Sequence, residues 1–206
     1  MQIHSALKWI LGSVVLVSLL SVPAVSAPAS SSQATTSQQT TIPRDDAKDF
    51  QARLGKYLDI QKKALRTVPS ISKKEVEDPA VIVRHEREVA EAIRALRPDA
   101  MPGDIFTPWL RSVIATAVKQ QVQGPRGRDA KATIVGEGNP AESSDPVPLK
   151  VNGGYPQKAP LSTVPPSVLL ALPPLPKEVE YRFVGHTLIL RDTKANIIVD
   201  ILPNAF

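Results

Sequence analysis

The sequence predicts an α+β protein: a small helical bundle of about three helices, a proline-rich connector and a C-terminal three-stranded antiparallel β-meander. Three observations predict it. Apolar residues recur with a helical period in three stretches between residues 44 and 123. Half of the chain's 20 prolines fall between Pro140 and Pro176. Three runs rich in β-branched and aromatic residues then occupy residues 180–202.

The first helix is expected over residues 44–67. Phe50, Leu54, Tyr57, Leu58, Leu65 and Val68 fall near one face, with Arg53, Lys56, Lys62, Lys63 and Arg66 off it. Pro69 stops it. Ser72 and Glu75 have capping-box spacing, and Asp78-Pro79 pairs an N-cap residue with proline at the first helical position. From residue 79 to 97 the positions Ile82, Val89, Ile93 and Leu96 form one buried stripe, closed by Pro98 and Pro102. The third helix opens on Thr107-Pro108 and carries Trp109, Leu110, Val113, Ile114, Ala117, Val118 and Gln121 at helical spacing. Gly124-Pro125 ends it. Trp109 is expected in the core rather than at a ligand.

Residues 124–145 lack an apolar period and read as a long loop, with a short strand at 130–135. The proline density after that forbids a continuous helix or a central strand. Two short elements survive it: an extended piece at 148–152, a candidate fourth strand, and a helical turn or two at 165–172. The meander is expected as strands at 180–184, 187–191 and 196–202. A lone meander is marginal in water, so one face should pack on the helices. The expected organisation is thus a signal peptide over 1–29 and a disordered Ser/Thr/Gln-rich leader over 30–43. A helical region follows over 44–123, a loop and proline-rich connector over 124–176, and the meander over 177–206.

The signal peptide rests on Lys8, the apolar run at residues 9–22 and the small residues Ala24, Ala27 and Ala29. The run is shorter than the ~20 residues that span a bilayer. Cleavage is expected after Ala29, with Ala27 and Ala24 as alternatives. Cutting at Ala27 would leave Pro28 after the scissile bond, and a tertiary proline amide is a poor geometry for the peptidase. No second apolar span follows, so the mature chain should be soluble and exported, periplasmic or extracellular.

Composition removes several function classes. There is no cysteine, which excludes a lipid-anchored lipoprotein, disulfides, thiol redox chemistry and thiolate metal sites. The 25 basic residues exceed the 20 acidic ones, for a net charge of +5. Basic clusters at Lys62, Lys63 and Arg66, at Lys73 and Lys74, and at Arg126 and Arg128 have no interleaved aromatics. They read as solvated faces rather than a nucleic-acid surface, with an anionic envelope surface as the functional alternative.

Two stretches carry a resemblance. One is Gly103-Asp104-Ile105-Phe106-Thr107-Pro108. The other runs from Leu172-Pro173-Pro174-Leu175-Pro176 through Tyr181-Arg182-Phe183-Val184-Gly185 to Ala195-Asn196-Ile197-Ile198-Val199-Asp200. Together, over residues 78–202, they resemble a group of exported bacterial proteins of uncharacterised activity. The resemblance implies a bacterial, periplasmic setting. It implies no activity, so no residue role comes with it.

No catalytic residue, cofactor motif or metal-ligand set stands out. His85-Glu86-Arg87-Glu88 lacks the second histidine of a zinc-protease helix and reads as a helix-rim site. His186 sits in the expected hairpin turn, with no serine on a Gly-x-Ser-x-Gly elbow to complete a triad. Glu88 with Glu91, and Asp192 with Asp200 across the hairpin, are the carboxylate pairs that glycosidase chemistry would use. Solvation or ion pairing is the plainer reading of both. Gly136-Glu137-Gly138 and Asn152-Gly153-Gly154 lack the context of a phosphate cradle. Pro173-Pro174-Leu175-Pro176 reads as a rigid spacer.

The sequence therefore favours a non-enzymatic envelope interaction or structural protein, its partner an envelope protein or cell-wall component. The proline-rich connector would present an edge strand to that partner. The alternatives are an envelope hydrolase with a carboxylate/His site, and an inhibitor or regulator of an envelope enzyme acting through a protruding loop at 124–145.

Overall fold

The computed structural model describes residues 42–136, 148–155 and 163–206. The signal segment with Ala24, Ala27 and Ala29, most of the Ser/Thr/Gln leader, and residues 137–147 and 156–162 lie outside the described residues. The described elements are α1 (Arg44–Thr67), a short 3-10 helix (Glu75–Glu77), α2 (Pro79–Leu96), α3 (Pro108–Gln123), α4 (Gly127–Gly136), α5 (Pro166–Ala171), β1 (Val179–Val184), β2 (Thr187–Asp192) and β3 (Ile198–Leu202). The class is α+β, with five α-helices among the described residues instead of about three.

Local chemistry explains the helix limits. Asp45 and Asp46 occupy the first turn of α1 and Arg66 its last, matching the helix dipole. Phe50, Leu54, Tyr57, Gln61 and Ala64 are its buried stripe. The Ser72/Glu75 capping box forms in both directions: Ser72 N donates to Glu75 Oε2 at 2.9 Å and Glu75 N to Ser72 Oγ at 3.3 Å. It starts only the 3-10 turn, because Pro79, four residues after Glu75, imposes a new start. There Asp78 Oδ1 accepts from Ala80 N at 2.8 Å. Thr107 caps α3 by accepting from Leu110 N.

Three expectations are corrected. Residues 127–136 are helix, not loop, and no strand forms at 130–135. The buried pair Ala130 and Ile134, one helical turn apart, is too short a stripe to register as a period. Trp109 is 63% exposed, not core. The buried side of α3 runs through Leu110, Ile114, Ala117, Val118 and Val122, and Trp109, about 100° from Leu110 around the helix, points away. Its indole N–H donates to Asp46 on α1 at 2.8 Å. Finally, 148–152 is not a fourth strand. The contact is an isolated bridge between Gly154 and Ile197, flanked by Asn152 N to Ile198 O at 2.8 Å and Tyr155 N to Asn196 O at 2.9 Å. Asn152 has φ +64°, which interrupts the extended run.

The sheet order is β1-β2-β3, antiparallel throughout. Gly185-His186 forms a two-residue hairpin between Val184 and Thr187, and Gly185 supplies the positive φ, +56°, that such a turn demands. A register shift at Leu190/Arg191 breaks the β2–β3 ladder. One face of the sheet joins the helices in a single core that includes Phe50, Leu54, Ile93, Phe106, Leu110, Ile114, Val168, Tyr181, Phe183, Leu188 and Leu190. Phe106 lies between Phe50 and Tyr181, with ring centroids 6.2 and 6.4 Å away. Tyr155, Ile189 and Ile198 make a smaller cluster.

Candidate functional site

The core contains two carboxylates, Asp192 and Asp200, each 0% exposed. Charges are seldom buried without full compensation, and each of these has its own set of donors.

Asp200, on β3, is bonded to the segment that leads into α3. Its Oδ1 accepts from Gly103 N at 2.9 Å, and its Oδ2 from Ile105 N at 2.8 Å and Phe106 N at 2.7 Å. Its own neighbour Ile201 N adds a fourth bond at 2.7 Å. The segment can wrap one carboxylate because Gly103 holds φ +103°, a conformation L side chains rarely adopt. Arg111 stands behind this nest. Its Nε donates to Phe106 O at 2.8 Å, and its Nη2, 3.8 Å from Asp200 Oδ1, has no hydrogen-bond partner among the described residues.

Asp192, at the end of β2, is held from two directions. Lys194 N and Ala195 N donate to Oδ1 at 2.7 and 2.8 Å, closing the turn before β3. From α1, Tyr57 Oη and Gln61 Nε2 donate to Oδ2 at 2.5 and 2.7 Å. Burial first, then the Asp192 charge, pushes the Tyr57 phenol well above its ordinary range, with Arg97 opposing. Tyr57 is therefore a fixed donor at physiological pH. Arg97, 5.3 Å above the Tyr57 ring, extends the network: Nη2 donates to Asp104 Oδ2 at 2.8 Å and Nη1 to Val199 O at 3.2 Å.

Asp192 and Asp200 are not solvated, which corrects that half of the expectation, while Asp200 does keep an ion pair, with Arg111 at 3.8 Å. Both are enclosed, and their partners are chiefly backbone amides and neutral side chains. They do not form a two-carboxylate site, since each is saturated by its own set of donors. Glu88 meets Arg84 at 4.0 Å, and Glu91 is exposed. His186 is exposed in the hairpin, its ring 4.5 Å from that of Phe206, and His85 is half-buried on α2. Among the described residues, no group of three or more His, Cys, Asp or Glu is placed to hold a metal ion. Lys62, Lys63, Arg66, Lys73, Lys74, Arg126 and Arg128 are exposed. No described helix is long and apolar enough to cross a membrane.

Two concavities lie among the described residues. The larger, about 400 Å³, runs between α5 and β1 and is lined by Val164, Leu169, Pro173, Leu175, Val179 and Tyr181, with Glu180 and Arg182 at its polar side. Leu169 is 47% and Leu170 83% exposed beside it. Tyr181 donates to Pro173 O at 3.0 Å, which ties the proline segment to the strand. The smaller, about 200 Å³, lies between α1 and residues 97–105. Neither is lined by a histidine.

Glu180 is flanked by Arg182 at 2.7 Å and Arg191 at 2.5 Å. Burial works to raise its carboxyl, but the hydrogen bonds and charges of the two arginines outweigh that and leave it below its ordinary value. A depressed carboxylate contributes stability that is present above its unfolded pKa and lost as pH falls through the folded one. Glu180→Gln should therefore destabilise the protein by about 1 kcal/mol at neutral pH. The difference from the parent should close below pH ~4. Urea titrations at neutral and acid pH check this. A difference that stays constant with pH would show that the arginine pairs contribute nothing through ionisation.

No protein-family model matches the chain, and no curated protein or solved structure matches it.

Proposed function

We propose that this chain is an exported, non-enzymatic interaction protein of the bacterial envelope. The observation that carries the reading is the apolar groove between α5 and β1, flanked by exposed Leu169 and Leu170. Exposed apolar surface beside a preformed groove is the usual mark of a partner site. The occupant is an extended apolar segment of a partner protein. Leucine, valine and proline walls suit aliphatic side chains. The one aromatic ring in the lining, Tyr181, is only 5% exposed, so it offers no stacking face to a cell-wall sugar. β1 is an outer strand of the sheet, which places main-chain groups beside the same groove.

The hydrolase reading needs His85 or His186 beside a carboxylate in a cleft, and neither lines either concavity. The two buried carboxylates already have complete sets of donors. The inhibitor reading, through a protruding loop at 124–145, is weakened by α4, which occupies most of the first half of that stretch.

Photocrosslinking in intact cells tests the proposal. A photoreactive side chain in place of Leu170 should give one discrete adduct with an envelope protein. The same group in place of exposed Lys62, on α1, should give none. No adduct from position 170, or equal adducts from both positions, would overturn it.

A further inference from the structure

The smaller concavity lies apart from the groove and carries an independent reading. Its lining is Arg53, Lys56, Tyr57 and Ile60 of α1, with Arg97, Asp104 and Ile105 opposite. Charge inside it is unbalanced. Arg97 is matched to Asp104 at 2.8 Å, and Arg53 to Asp49 at 2.8 Å. Lys56 is exposed and has no carboxylate within ion-pair distance among the described residues. Arg53 uses Nε on Asp49 and Nη1 on Asp104 O, which leaves Nη2 uncommitted. Arg97, its side chain only 8% exposed, is a fixed positive wall that cannot turn to solvent. The rest of the lining is apolar: Ile60, Ile105 and the ring of Tyr57, whose hydroxyl is committed to Asp192.

We propose that this pocket binds a small organic carboxylate, its anionic head on Lys56 and Arg53 and its short apolar body against Ile60, above the buried Ile105. The volume, about 200 Å³, corresponds to roughly six or seven waters, room for a ligand of a few heavy atoms. The three cations of the lining are met by two carboxylates, Asp104 on Arg97 and Asp49 on Arg53, and the excess positive charge at Lys56 attracts an anion and repels a cation. A single negative charge suits the site better than a phosphate, because Asp104 stands in the lining and would repel the second charge. Half-buried Ile60, with Ile105 directly beneath the floor at 2% exposure, favours a ligand with an alkyl tail.

Titrations of the protein with butyrate, butylammonium and inorganic phosphate, followed by the methyl resonances of Ile60 and Ile105, test this. Butyrate should shift both methyls saturably. Lys56→Ala should weaken its binding about tenfold, the loss of one contact of ~1.4 kcal/mol. Lys63→Ala, at an exposed lysine outside the pocket, should leave the affinity unchanged. Both positions are exposed, so both variants keep the fold, and Arg53→Ala gives a second reading of the same head-group contact. Butylammonium, with the same tail and the opposite charge, should shift neither methyl. The proposal is overturned if butyrate gives no saturable shift at millimolar concentration, if butylammonium shifts the methyls equally, or if Lys56→Ala binds as the parent does. Phosphate binding as tightly as butyrate would also overturn it, since the pocket would then be a general anion site.

Discussion

Asp200→Ala is expected to cost about 3–5 kcal/mol of folding stability. Alanine removes the acceptor shared by Gly103 N, Ile105 N and Phe106 N, and leaves those amides with no partner in an interior closed to water. It also strips Arg111 Nη2 of its nearest carboxylate, 3.8 Å away. Asp200→Asn should lie between alanine and the parent, since its carbonyl oxygen can still serve one side of the nest while its amide group faces donors. Urea denaturation measures both. A loss below about 1 kcal/mol for alanine would mean that the 103–106 segment finds other acceptors.

The second large effect concerns Asp192. Asp192→Ala is expected to cost about 3 kcal/mol, because it unties Tyr57 and Gln61 of α1 from the turn before β3 and leaves their buried donors unsatisfied. Tyr57→Phe alone should cost about 1–2 kcal/mol. In the double variant the tyrosine hydroxyl no longer lacks an acceptor, so the two losses should fall short of additivity by about 1 kcal/mol or more. Full additivity in that double-mutant cycle would show that the hydroxyl and the carboxylate are not energetically coupled.

Much of the fold was legible because its signals are local. Asp78-Pro79 and Thr107-Pro108 cap helices in the manner their chemistry dictates, and Gly185-His186 turns the hairpin. The first helix is bounded at the expected residues. What was not legible depends on distant partners. Asp192 and Asp200 look like ordinary surface acids until the segments that surround them arrive from 94 to 135 residues away. One signal was present: Gln61 falls on the buried stripe of α1, and a polar side chain there asks for a buried partner. α4 was missed because its buried apolar residues among the described side chains are Ala130 and Ile134, one turn apart. The groove draws its walls from α5, the proline segment and β1, and the small pocket from α1 and the 97–105 segment. The groove's walls are consecutive in sequence, from Val164 to Arg182, but no motif spacing announces it, and the walls of the small pocket are about 40 residues apart.

The donor sets around Asp192 and Asp200 also order events in time. The groups that need an acceptor belong to α1 and to the 103–106 segment, and the acceptors arrive only with the last strands of the chain. A ribosome that has made two thirds of this protein has made helices whose polar ends have nowhere to go. The N-terminal part is therefore expected to stay loose until the C-terminal strands exist, since its buried donors depend on contacts of long sequence separation.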